Sequence, residues 1–432
     1  MIIAMPAKLY ALTTGVEGLF IQNDRFNTTS VSFNFYLPLS PDTIAENALL
    51  PFMLTSCGAQ YPDFSKLNFR LNQLYGAQLD ASAEKLGDYQ LLKMSISVIH
   101  DRYTLGGESL LKQAIGMLLS LIFEPNAQGD AFSETDLARE KRKAIEHIKG
   151  EISEKRIYAK NRLIEEMYKG KAYGLPKCGT IENVQTITGK SLYRAWQEML
   201  RKAYVRVQVI GATLPDGLFE EVTARFGGIA RGDIPDLRRV EATESVDRPT
   251  LVTEHMDIKQ GKLVMGFSSD LAGDDDDTLP LMVAVDIFGG GPYSRLFANV
   301  REKMSLCYYC SASAARFKGM VTVDSGVEAE NAEKAQEAIL AQLTAMQKGE
   351  FSEFEFSSSI KSIRDSLYSY NDSQVALDVW YALKAANRTL RSPEELAEML
   401  NTVTREQVER AAQGIRLHTV YKLMPENKED PS

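Results

Sequence analysis

Two stretches of this chain, each close to half its length, run through the same succession of elements. The first reads strand, helix, helix, strand, strand, then long helices, and the second repeats that order at an offset of about 230 residues. Leu39 matches Leu271, Ser65-Lys66-Leu67 matches Ser294-Arg295-Leu296, and Ser82-Ala83 matches Ser311-Ala312. At 432 residues the chain also exceeds the size at which a single hydrophobic core keeps growing. Two homologous domains of about 200 residues each are therefore expected.

The apolar periodicities set the class. Val31, Phe33, Phe35 and Leu37 alternate with Ser32, Asn34 and Tyr36 until Pro38, which is a strand pattern, and Met94, Ile96 and Val98 repeat it. Leu110, Leu111, Ala114, Ile115, Leu118, Leu121 and Ile122 form a helix stripe that ends at Glu124-Pro125. Ser133 through Tyr168 reads as one long, charged helical region with Ser133 as its N-cap. Val205 to Ile210 closes the half as a strand. Glycines, prolines and mixed charges between about 227 and 249 mark a linker. Beyond it, Leu263–Phe267 is a strand, Asp277–Phe288 a helix, and Val321, Val323, Ser325 and Val327 a strand. Because strands and helices do not alternate strictly, the expected class is α+β, with two homologous domains, each a mixed or antiparallel sheet covered by helices. The divisions are 1–228, a linker over 229–249, and 250–432.

Composition narrows the function. A net charge of −9 argues against nucleic-acid phosphate as a partner. No apolar run reaches the roughly 18 residues of a membrane helix, and Met1–Leu12 lacks the pattern of a secretory leader. Four cysteines do not make a disulfide scaffold, so a cytoplasmic protein is expected, with no membrane partner.

Most local motifs have structural readings. The four histidines, His100, His147, His255 and His418, are too far apart for two to share a helical turn, as a catalytic zinc motif requires. Cys307 and Cys310 form a lone C-x-x-C in an extended segment, where residues three apart point to opposite faces, against a redox or zinc pair. Gly289-Gly290-Gly291-Pro292 lacks the G-K-[ST] of a phosphate loop and reads as a turn. Asp274 to Asp277 precede a helix and read as caps. No G-x-S-x-G occurs. What remains is Arg301, seven residues before Tyr308. A guanidinium and a phenol that converge at a sheet edge can hold a peptide carbonyl or a developing oxyanion.

That pair lies in "SRLFANVREKMSLCYY", which follows "FGGG" and resembles the second-domain signature of the pitrilysin/insulinase-type (inverzincin) metallopeptidases, in their bacterial, processing-peptidase-like branch. Tyr173–Ala212 and Asn47–Asp63 extend the resemblance over nearly the whole chain. In active members a first-domain helix carries H-x-x-E-H, two zinc ligands and a general base, and a later glutamate is the third ligand. Laid on this chain, those positions are Ala48, Pro51 and Phe52, none of which can ligate zinc or accept a proton. Glu146 and Glu151 lie in the helical region of the third ligand. The resemblance assigns Arg301 and Tyr308 to the substrate backbone; the matching first-half positions are Asn72 and Leu79.

It therefore implies a chain that binds no zinc of its own and works as the non-catalytic, substrate-binding subunit of a zinc endopeptidase heterodimer. A homologous H-x-x-E-H-bearing subunit would supply the zinc, and an extended peptide would be the ligand. A homodimer is expected when that partner is absent. The competing readings are a stand-alone pseudopeptidase that binds peptides or serves as a scaffold, and an unrecognised enzyme activity.

Overall fold

A computed structural model describes residues 7–239 and 241–426. The beginning of Met1–Leu12, Val240 of the expected linker and the end of the second expected domain lie outside the described residues. The alternating stretches become strands. Six form a first sheet: β1 (Ala7–Thr13), β2 (Val16–Gln22), β3 (Thr28–Pro38), β4 (Gln78–Leu86), β5 (Tyr89–Ile99) and β6 (Tyr204–Gly211). Their order is β1-β2-β6-β3-β5-β4, with β2 and β6 parallel and the other neighbours antiparallel. A second sheet has five: β7 (Thr250–Met256), β8 (Gly261–Ser268), β9 (Cys307–Ala315), β10 (Met320–Val327) and β11 (Arg416–Pro425). Their order is β9-β10-β8-β11-β7, and only β7 and β11 are parallel. With β1 set aside, strand order and direction are the same in both sheets. The repeat in the sequence is thus a repeat of fold, and the class is α+β.

The helices that matter below are α1 (Ile44–Leu54), α2 (Leu110–Phe123), α3 (Glu134–Ser153), α4 (Lys155–Met167), α5 (Asp275–Gly289) and α6 (Gln374–Leu383). The chain forms two compact units that are not contiguous in sequence. One holds the residues up to Lys149, Leu175–Arg239 and Tyr370–Ala386; the other holds Gly150–Gly174, the residues after Arg239 as far as Ser369, and those from Asn387 onward. One of the crossings between units follows Arg239. In addition, each half lends the other a helix: α4 belongs with the second sheet and α6 with the first. This exchange explains why Ser133–Tyr168 is two helices rather than one. The helical path breaks at Glu154, whose side chain accepts from Arg156 N–H at 3.3 Å, and the chain leaves one unit for the other.

In the first unit, Val31, Phe33 and Phe35 of β3 pack into a core with α1 and α2, while Ser32 and Asn34 point the other way, and both sets are buried. Helix α6 buries the polar side. Asp378, at its centre, accepts from Ser32 Oγ at 2.6 Å and pairs with the Lys93 ammonium of β5. Arg206 of β6 donates to the Tyr381 carbonyl at 2.9 Å, and Tyr36 O–H donates to the Ala382 carbonyl at 2.7 Å. A buried polar group is costly unless it is paired, so this sheet face fits one particular helix.

In the second unit the polarity is reversed. Arg156 of α4 donates to both carboxylate oxygens of Asp324 on β10, at 2.7 and 3.2 Å. Tyr158 O–H donates to Glu254 of β7 at 2.7 Å, and Ala159 and Leu163 pack on Val264, Tyr421 and Leu423. The acidic run stands at the N-terminus of α5, as expected, with Asp275, Asp276 and Asp277 in its first turn, but the capping role is corrected. No side chain of Asp274 caps the helix. Asp274 and Asp277 bind Arg388, Asp275 binds Arg316, and Asp276 binds Arg391. Gly289, at the end of α5, lies against β9, and a Cβ there would stand 2.5 Å from the Ala312 backbone nitrogen.

Two stability measurements test this account. Asp378→Ala leaves the Lys93 ammonium buried without its partner and is expected to lower unfolding free energy by about 3–5 kcal/mol in urea titrations. The double variant Lys93→Met/Asp378→Leu should recover most of that loss; a single variant within 0.5 kcal/mol of wild type (about the scatter of surface substitutions) would sink the role of the pair. Gly289→Ala drives a methyl into backbone rather than into a flexible side chain, and is expected to cost about 1–3 kcal/mol by the same titration.

Candidate functional site

Both grooves of interest lie at an edge strand, one in each unit. In the second unit, Leu296–Lys303 winds as a π-helical turn, with Met304 N–H bonded to the Asn299 carbonyl at 3.0 Å, five residues back. Ser305 then adopts φ +54°, and the chain enters β9. Cys307 stands opposite Val327 and Tyr309 opposite Gly326, so Tyr308 is the extra residue of a β-bulge. A bulge re-aims a side chain, and Tyr308 is 57 % exposed.

Arg301 and Tyr308 line one open groove of about 410 Å³ together with Ser305, Leu306, Glu328 and Asn331. The Arg301 guanidinium lies 4.6 Å from the Phe297 ring centre and 3.5 Å from the Glu302 carboxylate. Both partners orient the guanidinium, and neither buries it. The Tyr308 O–H donates to the Glu328 carboxylate, which pushes the phenol pKa above its ordinary value. A phenol engaged in this way still accepts a hydrogen bond from an incoming amide. To donate to a carbonyl it must turn from Glu328. The adjoining β9 is the outer strand of its sheet, so its free edge can take a further strand.

The equivalent groove of the first unit, about 560 Å³, is lined by α1, α3 and the outer strand β4. From α1 come Ala48 and Phe52, and Pro51 is buried away from the opening. From α3 come Glu140, Lys143, Ala144 and His147, the i, i+3, i+4, i+7 face of a helix. Glu146 instead lines a hollow with Lys141, Arg142 and Lys149, and Glu151 belongs to the other unit. The groove-facing candidates are therefore Glu140 and His147, which the spacing along α3 could have revealed. Glu140 is 3 % exposed, and its carboxylate is held by Arg139 Nε at 2.9 Å and Lys143 Nζ at 3.1 Å.

Zinc does not fit this donor set. A catalytic zinc needs three nitrogen, oxygen or sulfur ligands; Ala48 and Phe52 offer none, and two cations occupy the Glu140 carboxylate. Among the described residues no three His, Cys, Asp or Glu side chains stand close enough to hold a metal ion. No described helix is long and apolar enough to cross a membrane.

The bulge overturns the reading of the C-x-x-C. Cys310 stands opposite Ser325, two residues from Val327, so the extra residue brings Cys307 and Cys310 onto the same face of β9. Both are buried free thiols.

Comparison with known proteins places the chain in a family. The family profile described as "Peptidase M16 inactive domain" matches residues 186–363. The probable inactive metalloprotease YmfF of Bacillus subtilis is 31% identical over 409 residues, 95% of this chain and 96% of that protein. A crystal structure of a conserved protein from Enterococcus faecalis V583 has a TM-score of 0.89 at 26% identity, covering 98% of this chain and 100% of that one. The peptidase M16 inactive domain from Pseudomonas fluorescens has the same fold, with a TM-score of 0.74 at 17% identity over 98% of this chain and all of that one. The chain belongs to the M16 peptidase family, as a non-catalytic homologue that lacks the H-x-x-E-H motif.

Proposed function

We propose that this chain is the substrate-binding half of a two-chain zinc peptidase, one that processes or degrades peptides. The observation that carries the reading is an asymmetry between two equivalent grooves. The first presents Ala48 and Phe52 from α1, neither of which can hold zinc, whereas the second keeps an oriented guanidinium and an outward phenol at the start of an outer strand. An extended peptide would pair with β9 through its main chain. Arg301 would hold a backbone carbonyl, and Tyr308, released from Glu328, would donate to a second. A homologous subunit with H-x-x-E-H would bring the zinc and the general base.

One observation favours the second reading, a stand-alone pseudopeptidase. The Tyr308 O–H is already committed to Glu328, an arrangement that suits a resting peptide clamp as well as a catalytic one.

The decisive test is recovery of the tagged chain with its bound proteins, followed by reconstitution. A stoichiometric H-x-x-E-H homologue and zinc-dependent hydrolysis by the pair are expected. Recovery of self-associated chain alone, with peptide affinity and no hydrolysis, would favour the second reading. In the reconstituted pair, Arg301→Ala is expected to lower kcat/KM about 10²-fold, the scale of a lost oxyanion or carbonyl donor. Its unfolding midpoint should stay at the wild-type value. Tyr308→Phe should give a smaller loss of the same kind, and wild-type turnover in both variants would dismiss the clamp.

A further inference from the structure

We propose that Cys307 and Cys310 are a redox-responsive dithiol that closes to a disulfide when the protein meets a peroxide. A regular strand would hold residues three apart on opposite faces. The bulge at Tyr308 removes that obstacle, because the two cysteines stand opposite Val327 and Ser325, two residues apart on β10. Their side chains share one face of β9.

The two thiols are not equivalent. Cys307, 9 % exposed, lines the open groove beside Arg301, whereas Cys310, 6 % exposed, is not part of its lining. The Cys310 S–H and then the Arg301 guanidinium hold the Cys307 thiol below its ordinary pKa, while burial opposes them. Cys310, which donates to Cys307 and is buried, is pushed up. A groove-lining thiol whose pKa is lowered, backed by a second thiol, is the arrangement of an attacking and a resolving cysteine.

The chemistry balances with hydrogen peroxide as oxidant. The Cys307 thiolate attacks one peroxide oxygen, the O–O bond breaks, and the leaving hydroxide takes a proton to become water. Cys307 is then a sulfenic acid. Cys310 attacks its sulfur, the S–O bond breaks, the S–S bond forms, and a second water leaves with the Cys310 proton. Two thiols are oxidised by two electrons and one peroxide is reduced to two waters.

The bond would close a ring across the bulge and fix the backbone on both sides of Tyr308. Oxidation would therefore act on the residue that the groove presents to its ligand, through geometry that neither cysteine could supply alone.

Both cysteines fall in one tryptic peptide, Met304–Arg316, with no cleavage site between them. The reduced full-length chain, treated with hydrogen peroxide and then iodoacetamide, is expected to yield this peptide unalkylated and lighter by about 2 Da than its dithiol form. Dithiothreitol should restore both alkylation sites. The reaction should run at least about fivefold faster than oxidation of Cys57 or Cys178, and faster in the native chain than in urea. In Cys310→Ser, dimedone should label Cys307. Cys307→Ser should leave residue 310 unlabelled at the same dose. Double alkylation of Met304–Arg316 after peroxide, or a native rate no greater than that in urea, would overturn the proposal.

Discussion

The architecture depends on two ion pairs of opposite sense, each built on a buried carboxylate. In the first unit the sheet presents a base, Lys93, and the helix that covers it carries the acid, Asp378. In the second the sheet presents an acid, Asp324, and the helix carries the base, Arg156. In each unit the covering helix comes from the other half of the chain. Each half could have kept its own helix had the pairing been neutral. As it stands, an Asp378-bearing helix on the second sheet would meet Asp324, like charge on like, in a place with little water to screen it. The stability such pairs add over a hydrophobic contact is small; their effect is selection. They make the exchanged arrangement the one in which the Asp378 and Asp324 carboxylates each meet a base.

How far the sequence reveals this depends on which signal each element leaves. The strands are legible because Val31, Phe33, Phe35 and Met94, Ile96, Val98 alternate over long enough runs to fix both class and register. The repeat is legible because β4 and β9 keep the offset of about 230 residues from start to end. The helix exchange is hidden. Arg156, Tyr158 and Arg162 read as a solvated helical face, since sequence shows charge and not the carboxylates that meet it. The same blindness affects Asp274 to Asp277, whose partners Arg316, Arg388 and Arg391 lie far along the chain.

The site was legible in part for a related reason. Ala48, Pro51 and Phe52 are visible as absences in a motif, and the Arg301/Tyr308 segment as a resemblance. What period alone could not supply was the bulge. One extra residue in β9 turns Tyr308 outward and changes the parity of Cys307 and Cys310, and a two-residue strand period has no means to signal it. On α3 the error was one of helix phase. Glu146 and His147 are adjacent in sequence but face different hollows, and only the face that also carries Glu140 looks into the groove.

That face also bears on how the groove's charge is balanced without the motif histidines. Glu140 is a nearly buried carboxylate, and a buried anion must be neutralised by something. A zinc ion would serve where histidines hold it. With Ala48 and Phe52 in the facing helix, the neutralising charges are Arg139 and Lys143 of α3 itself. Once these two cations satisfy the carboxylate, restoring histidines at the α1 positions would not by itself recreate an anionic donor. A dication would first have to displace an ammonium and a guanidinium at contact distance. The loss of the motif and the local charge pairing therefore reinforce each other. On the proposed reading, ligand binding falls to the duplicate groove, where Arg301 is half-buried and Tyr308 turns outward.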